Sequence, residues 1–148
     1  MKRHPALEPF SRDHNTGLIL ARALIEKRPD AGEDLLRAWQ SELKDHFREE
    51  ERLLAPLATR ESAFRLRQEH ARIADLVARL PASGPALGTA LEQHIRWEER
   101  QFFPEIQATA PEEALRLLSA ETDRLEERRW EHGANRRRLV QLRRLRMR

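Results

Sequence analysis

With 148 residues, 36% of them charged, only 5% aromatic and no tyrosine, the chain is long enough for one sizeable core and is rich in the helix formers Leu, Ala, Glu and Arg. The absence of cysteine excludes disulfides, zinc–thiolate sites, iron–sulfur clusters and thiol catalysis, and no apolar run approaches the ~18–20 residues that span a bilayer. The net charge of +3 is uneven: residues 1–110 carry 17 basic and 18 acidic side chains, whereas Arg136 to Arg148 hold seven arginines and no acid.

No segment alternates apolar and polar positions over strand length, which predicts an all-α protein. The first ten residues hold two prolines and no apolar signal-peptide core, so the expected location is cytoplasmic. The first predicted helix runs from about Phe10 to Lys27, with Phe10, His14, Leu18, Ala21, Leu24 and Ile25 at spacings of three and four, and Pro29 stops it. Asp30 and Glu33 have the pattern of an N-cap with capping-box support. They would open a second helix whose face carries Leu35, Trp39, Leu43, His46, Glu50, Leu53, Leu54 and Leu57, kinked or ended by Pro56.

Thr59 is the expected N-cap of a third helix, with the stripe Ala63, Leu66, His70, Ile73, Val77 and Leu80. The stretch Pro81-Ala82-Ser83-Gly84-Pro85 is a break. A fourth helix follows with Leu87, Leu91, His94, Glu98, Phe102 and Ile106, bent in its last turn by Pro104. Short connections make four such helices antiparallel neighbours, hence an up-down-up-down four-helix bundle over residues 1–110. Pro111-Glu112-Glu113 has the chemistry of a fifth helix start. Residues 111–148 then form a C-terminal helical extension with a thin apolar face (Leu115, Leu118, Thr122, Leu125), a stop at Gly133 to Asn135, and an Arg-rich tail with Leu139, Leu142 and Leu145.

Two segments repeat. From His46 and from His94, Arg falls at +2, Glu at +4 and +5, Arg at +6 and Pro at +10. A residue and its fourth neighbour share a helical face, so His46 with Glu50, and His94 with Glu98, each present imidazole and carboxylate together. His14 and His70 occupy the middle of the other two stripes. A single histidine on an apolar face is most often a hydrogen-bonded core residue. Four imidazoles and two carboxylates at one level, with no Arg or Lys in the stripes there, are costly to bury unpaired. A bound pair of cations removes that cost, and the donor set suits iron, zinc or manganese.

This arrangement resembles the hemerythrin-like HHE cation-binding domains: a His on the first helix, His-x3-Glu on the second, His on the third and His-x3-Glu on the fourth. The resemblance covers residues 10–108. It implies two non-heme iron ions, one on His14 and His46, the other on His70 and His94, bridged by Glu50 and Glu98. Ferritin-like sites use Glu-x-x-His instead, and no histidine here has Glu three residues before it. His-Glu-x-x-His is absent as well. Oxygen-carrying relatives have a further helix-three histidine, where this chain has Leu66 or Ala74; Glu69 or water would take its place. Trp39 and Phe102 read as core and Trp97 as packing beside the site. Glu49, Glu51 and Glu99 are charged neighbours placed to orient imidazoles, and His4 and His132 lie outside the pattern.

The function implied is a metal-binding protein that binds or senses dioxygen, nitric oxide or iron. The alternatives are a di-iron enzyme acting on peroxide or another small oxidant, and a metal-sensing interaction module. In the last, the basic tail would grip nucleic acid through salt-dependent phosphate contacts, although it lacks stacking aromatics and a recognised reading motif.

Overall fold

The computed structural model of the chain describes residues 2–131; His132, the stop near Gly133 and the Arg-rich tail lie outside the described residues. All regular structure within them is helical, and no described helix is long and apolar enough to cross a membrane.

Helix α1 spans Glu8–Ile25, with Pro9 in its first turn, where a missing N–H breaks no bond. Helix α2 runs over residues 31–53 as Ala31–Ala38, a π-helical turn Trp39–Leu43, and Lys44–Leu53. The capping box predicted from Asp30 and Glu33 does not form. Asp30 adopts φ 64° and makes no side-chain cap, because a capping carboxylate needs extended backbone to face the first N–H groups. The short α1–α2 connection instead closes through left-handed residues, Lys27 at φ 54° and Asp30, and Asp is among the few side chains that tolerate this region. Pro56 ends α2, falling in a 3₁₀ turn at Ala55–Leu57.

Helix α3 spans Arg60–Ala78, and Thr59 caps it as predicted: its hydroxyl accepts the Ser62 N–H at 3.1 Å. Helix α4 runs over residues 84–109 as Gly84–Trp97, a π-helical turn Glu98–Phe102, and Phe103–Thr109. The Pro104 ring would clash with the carbonyl four residues back, that of Arg100. The π turn lies where this mismatch must be absorbed, so the helix continues through the proline. Helix α5 spans Glu112–Glu131.

The apolar side chains form two clusters. One contains Leu20, Leu24, Leu35, Leu43, Phe47, Ile73, Val77, Leu87, Leu91 and Ile95. The other contains Leu7, Phe10, Leu54, Leu66, Trp97, Phe102, Phe103 and Ile106, and Leu115 and Leu118 of α5 complete it. Along α1 and α3 the chain passes from the second cluster through a histidine to the first; along α2 and α4 it passes the other way. Polar residues thus sit between two apolar layers on all four helices. Buried Leu115, Leu118 and Thr122 are the thin face expected of α5.

Helices α1 and α4 approach closely at Gly88, where a Cβ would lie 2.7 Å from the Ala21 carbonyl oxygen and 3.0 Å from the Leu24 Cβ. Backbone cannot yield as a side chain can. Gly88→Ala is therefore expected to destabilise the protein by about 1–3 kcal/mol, measured by urea denaturation. An unchanged midpoint would show that the two helices separate freely.

Candidate metal centre

The polar layer contains the six residues singled out from the sequence. His14 comes from α1, His46 and Glu50 from α2, His70 from α3, and His94 and Glu98 from α4. All are buried, and both carboxylates are 0% exposed. The Nε2 atoms turn inward. His14 Nε2 lies 3.3 Å from Glu98 Oε1 and 3.8 Å from Glu50 Oε2, and His46 Nε2 is 3.2 Å from Glu50 Oε2. On the other side, His70 Nε2 is 3.1 Å from Glu50 Oε1 and His94 Nε2 is 2.8 Å from Glu98 Oε1. Two groups able to hold a metal ion result: His14, His46, Glu50 and Glu98, and Glu50, His70, His94 and Glu98, each with ligand atoms within 4.8 Å of one another. They share both carboxylates.

Whether the residues suit a cation can be judged from their hydrogen bonds. The Nε2 atoms of His14, His46 and His94, Glu50 Oε2 and both Glu98 oxygens are buried without a hydrogen-bond partner. The contacts among them are the ion-pair distances of 2.8–3.8 Å just given. Buried polar atoms are rarely left so, and each costs ~1–3 kcal/mol. A cation between converging lone pairs answers six of these atoms together, so the donor set fits.

The outer ring nitrogens follow one pattern. His14 Nδ1 contacts Glu99 Oε2 at 2.7 Å, His46 Nδ1 contacts Asp13 Oδ2 at 3.0 Å, His70 Nδ1 contacts Glu51 Oε2 at 2.8 Å, and His94 Nδ1 contacts Glu69 Oε1 at 2.7 Å. An ionised carboxylate only accepts, so each Nδ1 carries the proton and donates it. In the neutral ring Nε2 then holds the lone pair, the tautomer a metal requires. The order is cyclic: Asp13 of α1 holds α2, Glu51 of α2 holds α3, Glu69 of α3 holds α4, and Glu99 of α4 holds α1. Arginines back three of the four: Arg129 reaches Asp13 at 2.8 Å, Arg65 reaches Glu69 at 2.8 Å and Arg3 reaches Glu99 at 3.1 Å.

Glu51 and Glu99 thus orient imidazoles, whereas Glu49 pairs with Arg52. Glu69, considered from the sequence as a replacement ligand, is occupied with His94 and Arg65 and belongs to neither group. Asp13 was not singled out, and its partner is 33 residues away. The usable signal was adjacency: Asp13, Glu51, Glu69 and Glu99 each neighbour a candidate ligand in the chain. Leu66 is fully buried in the second cluster and Ala74 is exposed, so neither offers a donor. His4 lies beside Glu112 at 3.5 Å, apart from both groups. Trp97 packs, its ring stacked on Phe102 and under the Arg65 guanidinium. Phe102 is core, but Trp39 is only half-buried.

The sequence repeat is not a structural one. In α2 the π turn ends before His46; in α4 it begins at Glu98. Such turns recur at functional sites.

Burial, the largest influence on all four imidazoles, disfavours their charged form, but the carboxylates outweigh it. His46 is raised to about 10 by Glu50 and Asp13, and His94 to about 9 by Glu98 and Glu69. His14 stands well above the usual histidine value through Glu98, Glu50 and Glu99, and His70 is raised by Glu50 and Glu51. Burial pushes Glu50 up, yet His46 foremost holds it well below the carboxylate range.

No family model, curated protein or solved structure matches the chain. Its own residues define the class: an all-helical protein with two buried His/Glu groups able to hold metal ions.

Proposed function

We propose that the chain is a hemerythrin-like di-iron protein built on an up-down-up-down four-helix bundle. His14 and His46 hold one iron, His70 and His94 the other, and Glu50 and Glu98 bridge them. The observation that carries this reading is the orientation of the four histidines. Every Nε2 lies within 3.3 Å of one of the two shared carboxylates, while every Nδ1 is held by a carboxylate from outside. The alternation of the apolar clusters along successive helices supports the antiparallel bundle.

When bound, an iron pair supplies a redox-active Lewis-acid position for a small ligand such as dioxygen or nitric oxide. The chain contributes the setting. The Nδ1 contacts fix tautomer and ring plane. Phe103 stacks on His14 with planes 4° apart, and Phe47 on His70 with planes 5° apart and centroids 3.9 Å apart, which keeps water from those ring faces. Leu66 and Ala74 add no fifth imidazole, so both groups offer the same donors, two imidazoles and two carboxylates. Binding or sensing is therefore favoured over reversible oxygen carriage. A cytoplasmic setting is part of the proposal and rests on the amino-acid sequence.

Elemental analysis of the aerobically purified protein, with an optical spectrum, tests this. The expected result is two irons per chain and near-ultraviolet iron absorption. A colourless protein with two zinc ions would overturn iron, and a stoichiometry fixed at one would overturn the bridge.

A further inference from the structure

Beside α2 and α3 lies an open cleft of about 400 Å³ that meets the proposed metal centre only at His70 and Glu51. Its size is within the ~300–1,000 Å³ of small-molecule sites. The walls are mainly apolar: Trp39, Phe47, Ala71 and Ala74, with the His70 ring between them. Trp39 opens the π turn of α2 and meets Phe47 edge-on, ring centroids 5.4 Å apart and planes at 84°. The two small alanines on α3 leave the space between the helices open.

The polar side chains of the cleft are unequal in charge. Lys44, Arg48 and Arg67 stand against a single acid, Glu51. That acid is already engaged, since its Oε2 accepts the His70 Nδ1–H at 2.8 Å. Arg48 makes only a loose, exposed pair with Asp45 at 3.5 Å. An excess of two positive charges is thus gathered in a stretch of chain, residues 1–110, where acids as a whole outnumber bases by one.

We infer that this cleft binds a small organic carboxylate with an apolar, preferably aromatic, body. The guanidinium forks suit a planar carboxylate, and Trp39 and Phe47 offer ring faces and edges for the body. Inorganic phosphate meets the exposed cations without covering the aromatic walls, and so lacks the contacts that would hold a ligand in the cleft. A neutral apolar molecule would do the reverse. The cleft borders the proposed metal centre through His70 and Glu51, but the inference rests on the three cations and the aromatic walls and not on bound metal.

Calorimetric titration of the full-length protein, as purified, with 4-phenylbutyrate tests it. The expected result is saturable binding to one site. 4-Phenylbutanol should bind about tenfold more weakly, the loss that follows when a charge-assisted hydrogen bond is removed, and phosphate should not compete. The double substitution Arg48→Gln with Arg67→Gln, both exposed, should weaken phenylbutyrate binding by about tenfold or more. Ala74→Trp, at another exposed position, should fill the cleft and abolish binding while leaving the helical circular dichroism intact. Equal affinity for acid and alcohol, competition by phosphate, no binding, or undiminished binding in Ala74→Trp would each overturn the inference.

Discussion

Replacing Glu50 with Ala is expected to abolish metal loading at both His/Glu groups and to destabilise the metal-free chain by about 3–5 kcal/mol. This carboxylate is fully buried and faces the Nε2 atoms of His14, His46 and His70, so both candidate groups depend on it. Its loss leaves His46, held near 10 largely by Glu50, buried with Asp13 as its remaining countercharge. Glu50→Gln keeps the shape but not the charge, and should also fail to load. Glu49→Ala removes a carboxylate one residue away that pairs with Arg52, and should change neither property. Metal content and urea midpoints in chelator measure both effects. Retention of a single ion in Glu50→Ala would mean that the two groups do not share this residue.

The second large effect concerns pH. In the metal-free fold His46 and His94 are raised to about 10 and about 9 from an ordinary value of 6.5. Between about pH 6.5 and pH 10 the folded chain therefore holds more protons than the unfolded one, and stability falls as pH rises. Their contribution is fully present below pH 6.5 and gone above about pH 10. Glu50, depressed in the fold, acts oppositely: its contribution is present above the ordinary carboxylate value of 4.5 and is lost as acid protonates it. Maximum stability should lie between these limits. Metal binding needs neutral rings, so apparent affinity should rise with pH over the window in which the metal-free fold weakens, with protons released on loading. Urea midpoints in chelator at several pH values, and calorimetry in buffers of different ionisation enthalpy, test the two halves. Stability that increases from pH 6.5 to 9 in chelator would contradict the charged state of the imidazoles.

Helical spacing made the six central residues legible in the amino-acid sequence. A His and a Glu four apart must share a face, and an apolar stripe indicates which face turns inward. Thr59 was legible for a similar reason, since its cap bonds to a residue three positions on. What escaped depends on distance across the fold. Asp30 could have been a cap or a left-handed turn residue, and the tightness of the α1–α2 connection decided it. The π turns carry no compositional mark, although Pro104 signalled a mismatch in α4. Glu69 shows the limit most clearly. A carboxylate beside a histidine can face an ion or a neighbouring ring, and only knowing that α4 stands next to α3 distinguishes them. Trp39 has the spacing of a core residue, yet one side of it borders a cleft.

The cyclic order of the four outer carboxylates has a mechanical consequence. Each grows from a different helix, next to a candidate ligand of its own helix, and grips the ring of the following helix, so the rods mesh like gears in a closed train. Turning α1 about its axis moves His14 directly and His46 through Asp13; α2 passes the turn to α3 through Glu51, and so on round to Glu99. Paired substitutions among Asp13, Glu51, Glu69 and Glu99 should then be non-additive in double-mutant cycles. A displacement at either His/Glu group would leave the centre as one concerted rotation instead of a local shift. It has a take-off point as well: Asp13 Oδ2, which holds His46, also accepts from Arg129 of α5 at 2.8 Å, and α5 is the helix that leads into the arginine-rich end of the chain.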